Sequence, residues 1–129
     1  MDVLAYKRTP DPKLAADLGF RFVTMDELLS QSDIITVHVP YNKETHHMLN
    51  NETFSKMKNG VVIINTARGS IIDTTALVNA LQSGKGAAAG LDVLEEESMI
   101  REEHELLHKD FPIENLKTVL ENHMFLNNP

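Results

Sequence analysis

The chain has 129 residues, 42% of them hydrophobic, enough for one domain with a buried core. A formal net charge of −7, from 12 basic and 19 acidic side chains, excludes the clustered cations that nucleic acid or an anionic membrane surface requires. There is no cysteine, which excludes disulfides, thiolate metal sites and cysteine nucleophiles and fits a cytoplasmic location.

Residues 3–6 (VLAY) are a short apolar run cut off by Lys7-Arg8-Thr9-Pro10, which predicts a strand and a turn. Met1-Asp2-Val3 has no basic n-region, so no secretory leader is expected, and no apolar run approaches a bilayer span. Residues 13–18 predict a short helix stopped by Gly19, and residues 20–23 a second short strand. Thr24 and Glu27 have capping-box spacing ahead of Leu28-Leu29. Residues 33–39 (DIITVHV) are a β-branched run closed by Pro40. A helix is expected over 51–58, ended by Gly60, and residues 61–65 (VVIIN) are the clearest buried strand. Asp73 suits the N-cap of a helix over 74–82, with Leu77, Val78 and Leu81 inward and Gly84 as its stop. Residues 87–93 (AAAGLDV) read as a strand of small residues. Beyond Glu97 the composition changes, and residues 98–129, rich in Glu, His, Lys and Leu, read as one or two helices after a sheet-and-helix part over 1–97.

Strands and helices alternate, and the strands are continuously apolar. That predicts an α/β fold with a doubly wound parallel sheet covered on both faces. In such sheets ligands bind beyond the carboxyl ends of the strands. Lys7-Arg8, His38-Val39-Pro40, Thr66-Ala67-Arg68 and Asp92 all sit at such ends. Arg68, beside the small Gly69, offers a planar fork that matches a carboxylate, although capping a helix or pairing with Asp73 is the bland alternative. Asp92 suits either a cofactor amide or the cap of the next turn. Glu95-Glu96-Glu97 reads first as a solvated acidic face, and His38 as a hydrogen-bonded structural histidine. His104 and His108 are four apart, but no third ligand is in view and no metal site is expected.

The stretches LLSQSDIITVHVPYNKETHHMLN, MKNGVVIINTARGSIIDTTALVNAL and GLDVLEEE, in this order and spacing, resemble the NAD-binding domain of the D-isomer-specific 2-hydroxyacid dehydrogenases. The resemblance implies a Rossmann-like sheet, NAD as cofactor, a small 2-oxo or D-2-hydroxy acid substrate, and a homodimer in the full-length parent. Arg68 matches the arginine that binds and orients the substrate carboxylate and carbonyl. Glu97 matches the glutamate that hydrogen-bonds the catalytic histidine. Asp92 matches the aspartate facing the nicotinamide amide, and Val39, Pro40, Thr45, Thr66 and Ala67 match residues lining the cofactor. Ser98 follows Glu97 where members acting on glycerate or phosphoglycerate usually have Pro, and the Glu- and Leu-rich stretch after it is similar to the D-lactate dehydrogenase group.

Three departures stand out. No G-x-G-x-x-G occurs, although the resemblance places one just ahead of residues 3–6 to bind the pyrophosphate. The catalytic histidine is expected just after LNNP, and His123 does not match it. Lys7, followed by Arg8, stands where the family has an NAD-selecting acid. A cation there favours a 2′-phosphate and hence NADP, with exposed turn cations as the bland alternative. The resemblance thus implies an incomplete sheet without its first, central strand, with unpaired edges beside residues 3–6 and 34–37. Three functions remain open: part of a D-lactate-type oxidoreductase, inactive alone; a dinucleotide-sensing module of the corepressor type; or an inert truncated product.

Overall fold

A computed structural model describes residues 1–95. The elements run in chain order as β1 (Leu4–Ala5), α1 (Pro12–Leu18), β2 (Arg21–Phe22), α2 (Met25–Gln31), β3 (Ile34–Val37), α3 (Asn51–Lys56), β4 (Val61–Asn65), α4 (Thr74–Ser83) and β5 (Gly86–Leu91), with a 3-10 turn at Gly69–Ile71. The helices beyond residue 97 expected from sequence lie outside the described residues.

Local chemistry sets the helix ends. The Asp11 carboxylate accepts from the Lys13 and Leu14 amides ahead of α1, with Pro12 preset for the first turn. Thr24 and Glu27 form the reciprocal capping box of α2. Asp73 accepts from the Ala76 amide at the start of α4, and Gly84 closes it at φ 79, a left-handed conformation that glycine adopts without a Cβ penalty. α3 is shorter than expected. Met57 turns extended at ψ 162 and is 3% exposed, because burying its side chain outweighs another helical residue.

Among the described residues every strand pairing is parallel, and the strands form two sheets. β1 pairs with β2, and a second sheet has the order β3-β4-β5. Among the described residues no ladder joins the two sheets. In the larger sheet Ile35, Val37, Val61, Ile63 and Ala89 face a core shared with Leu29 of α2, Phe54 of α3 and Leu77 of α4. Ile63, Val61, Leu29 and Ile71 are fully buried.

The apolar runs of β3 and β4 predict cover on both faces, and here the structure differs. Among the described residues only the face carrying Ile35 and Ile63 is covered. On the other face Ile34 is 57% exposed and Val62 and Ile64 are half-buried, because α2, α3 and α4 all pack into one core. No helix of the described residues is long and apolar enough to cross a membrane.

Candidate functional site

The register places Val37, Asn65 and Leu91 side by side across the larger sheet. The next residue of each strand is His38, Thr66 and Asp92, so three strand ends meet along one edge. The Asp92 amide donates to the Asn65 carbonyl at 3.0 Å, which continues that row past the end of β5. On the smaller sheet, β1 leads into Lys7 and Arg8, both exposed. Arg8 pairs with Glu44 of the loop after β3. This exposed pair adds little to stability, but it brings the loops after β1 and β3 together.

β4 stops sharply because of Asn65. Its side chain is 1% exposed and replaces the ladder. Oδ1 accepts from the Ala67 amide at 3.0 Å, and Nδ2 donates to the Arg68 carbonyl at 2.9 Å. A buried amide with both ends satisfied fixes a tight turn. Thr66 and Ala67 lie half-buried within it, and Arg68 projects from it exposed. Arg68 Nη1 donates to the Ala67 carbonyl at 2.7 Å. It forms no ion pair with a described residue, and Asp73 is occupied in capping α4. The bland pairing of Arg68 with Asp73 therefore does not form. Sequence reading missed Asn65, although one amide closing a run of four branched apolar residues was the available signal.

The other expected residues sort by what they touch. Val39 is half-buried against the core, and Pro40 is exposed. The Thr45 hydroxyl donates to the Pro40 carbonyl at 2.8 Å and accepts from the Asn42 amide at 2.8 Å, so Thr45 shapes the loop around Pro40. His38 is hydrogen-bonded, its Nε2 2.9 Å from Thr36 Oγ1, yet it lies exposed on the uncovered face. Asp92 is exposed and its carboxylate bonds no described residue. Glu97 lies outside the described residues, as do His104, His108 and His123. Among the described residues no three His, Asp or Glu side chains converge for a metal ion.

The acidic run departs from expectation at Glu95. Its side chain is 20% exposed, so it is no solvated face. One carboxylate oxygen bonds His47 Nε2. The other accepts from the Thr74 amide at 3.1 Å and the Thr74 hydroxyl at 2.7 Å. His47 has φ 47, its ring stacks on His46 at 4.0 Å, and its Nδ1 is 4.0 Å from Asp73 Oδ2. Burial pushes the Glu95 carboxyl up, but the bonds from His47 and Thr74 outweigh it, and the group titrates below its usual 4.5. A lowered carboxylate pKa stabilises the fold above the unfolded value, and that stabilisation is lost as pH falls through the folded one. The stability difference between wild type and Glu95→Gln is therefore expected to shrink as pH falls below about 4.5. Urea unfolding across pH checks this; a difference that does not change on acidification contradicts it.

A cleft of only about 10 Å³ lies beside Asn65, Gly69, Leu91, Leu94 and Glu95. Ligand pockets usually span about 300–1,000 Å³, so the open edge formed by the strand ends is the better candidate for a large ligand.

Residues 1–124 match the family model described as D-isomer specific 2-hydroxyacid dehydrogenase, NAD binding domain. A glyoxylate reductase of Thermococcus litoralis is 44% identical over 103 residues, covering 80% of this chain and 31% of the relative. A D-lactate dehydrogenase of Treponema pallidum is 49% identical over 86 residues, covering 67% of this chain and 26% of the relative. The crystal structure of an Aquifex aeolicus D-lactate dehydrogenase complexed with NAD and lactic acid superposes with a TM-score of 0.73 at 50% identity, over 77% of this chain and 29% of that one. The chain thus spans about three tenths of the length of the curated relatives it matches.

Proposed function

The chain belongs to the D-isomer specific 2-hydroxyacid dehydrogenases, as part of their NAD-binding domain, and from this we propose that the complete protein reduces a small 2-oxo acid of pyruvate size to the D-2-hydroxy acid. The observation that carries the proposal is Arg68, exposed at the carboxyl end of β4 with no ion partner among the described residues, on a turn that Asn65 holds rigid.

The residues at the strand ends fit a dinucleotide. Thr66 and Ala67 are small and half-buried, Val39 and Pro40 offer apolar surface, and the Asp92 carboxylate is free of described partners to accept from a carboxamide. Thr45 acts by holding the Pro40 loop in shape. Lys7 is exposed without a described ion pair and is suited to a ribose 2′-phosphate, so NADPH is accepted beside NADH. The chemistry the cofactor supplies when bound is hydride donation to a carbonyl carbon. Arg68 orients the substrate carboxylate by its planar fork and stabilises negative charge as it develops on the carbonyl oxygen. Glu97 keeps the acid–base histidine of the complete dehydrogenase protonated near neutral pH.

The test is NADH and NADPH oxidation by the complete dehydrogenase carrying these residues, with pyruvate and with glyoxylate. Pyruvate is expected to have the higher kcat/KM, and the 129-residue chain no activity. A glyoxylate preference beyond tenfold overturns the lactate-type assignment. Absence of turnover with any 2-oxo acid favours a dinucleotide-sensing module.

A further inference from the structure

Glu95 stands where three segments meet. Its carboxylate takes three hydrogen bonds from two other segments, His47 in the loop after β3 and Thr74 at the start of α4. Those two segments are also stitched to each other. The His47 amide donates to the Ser70 carbonyl at 2.9 Å, the Leu49 amide to the Ile71 carbonyl at 3.1 Å, and the Asp73 amide to the Leu49 carbonyl at 2.9 Å. The third segment, Leu94-Glu95, presses its backbone on Gly69, where any Cβ would overlap the Leu94 carbonyl group and the Glu95 amide nitrogen. Gly69 directly follows Arg68. The segment leaving β5 therefore backs the arginine's turn, and the Glu95 carboxylate fastens that segment in place.

We propose that Glu95 is a positioning residue for Arg68: by tying the post-β5 segment to His47 and Thr74, it clamps that segment across Gly69 and fixes the turn that presents the guanidinium. This rests on the dehydrogenase reading above for its catalytic consequence, but not for the clamp itself. A carboxylate held by one neutral hydroxyl would serve a helix start alone. Here the bond to His47 adds an anchor 48 residues away in sequence. A clamp built from distant segments restrains the turn more than a local cap does, because bonds from separate elements must break together for it to move. Bonds that share one carboxylate act as a unit and show up as coupling between mutations.

The experiment is a double-mutant cycle in the complete dehydrogenase, Glu95→Gln against Arg68→Lys, read as kcat and KM. Glu95→Gln is expected to lower kcat/KM for the 2-oxo acid about tenfold while the KM for NADH moves less than twofold. With Arg68→Lys already present, Glu95→Gln should cost less than threefold, because the fork it positions is gone. Fully multiplicative losses, or a lower melting temperature with kcat/KM unchanged, overturn the proposal and leave Glu95 a structural residue only. If wild type turns over no 2-oxo acid, the dehydrogenase reading has failed separately, and amide exchange in the same protein judges the clamp. Glu95→Gln must then speed exchange at Ile71 and Ile72, whose amides close the turn on the Arg68 and Gly69 carbonyls. Unchanged exchange there overturns the clamp.

Discussion

Arg68→Gln in the complete dehydrogenase is expected to lower kcat/KM for pyruvate about a thousandfold with little change in stability. A hydrogen bond to a charged group contributes about 1.5–3 kcal/mol, and loss of a donor to a developing oxyanion costs about 2.7–4 kcal/mol. Gln keeps a donor but loses the charge and the fork. A net loss of about 4 kcal/mol corresponds to about three decades in rate. Stability is spared because Arg68 is exposed and its side chain bonds only the neighbouring Ala67 carbonyl among the described residues. Arg68→Lys should fall between, since Lys keeps the charge without the bidentate geometry. Steady-state kinetics with NADH and pyruvate, beside a urea melt, read both quantities. A loss below tenfold means that Arg68 does not hold the substrate.

Gly69→Ala is expected to cost about 3 kcal/mol in unfolding free energy and to reduce activity with it, at the upper end of what overpacking usually costs. The added Cβ would meet backbone atoms of Leu94 and Glu95, which have no rotamer to turn away. Either the Arg68 turn or the post-β5 segment must shift, and both carry groups of the candidate site. Gly84 makes a useful contrast. It has open space around a Cβ position, and its need for glycine comes from φ 79 alone, so Ala there should cost about 1 kcal/mol. Equilibrium denaturation of both variants separates the two causes. A Gly69→Ala cost no larger than that at Gly84 would mean that the 94–95 segment does not lie on the turn.

The elements that sequence made legible are those whose determinants lie within a few residues. Thr24 with Glu27, Asp73 with Ala76 and Gly84 after α4 are bonds and conformations closed inside one helical turn, so their pattern survives as a pattern in the chain. β4 was legible because four consecutive branched apolar residues favour a strand, and from its parallel setting followed the expectation that the strand ends form the site. The end of α3 was not legible. Met57 leaves the helix because a core assembled from β4, α2 and α4 takes its side chain, and nothing near Met57 signals that. Glu95 was read from its neighbours as part of a solvated run, whereas its partners stand 48 and 21 positions away. Asn65 could be seen as a polar residue closing a strand, but its role needed the turn that folds back over it. Sequence by itself determined the α/β class, the caps of α2 and α4 and the strand that carries Arg68, because propensity, capping and apolar runs are local. Only the tertiary structure decided which carboxylate is half-buried and what holds the Arg68 turn, because burial and hydrogen bonding there depend on segments that meet only when the sheet has formed.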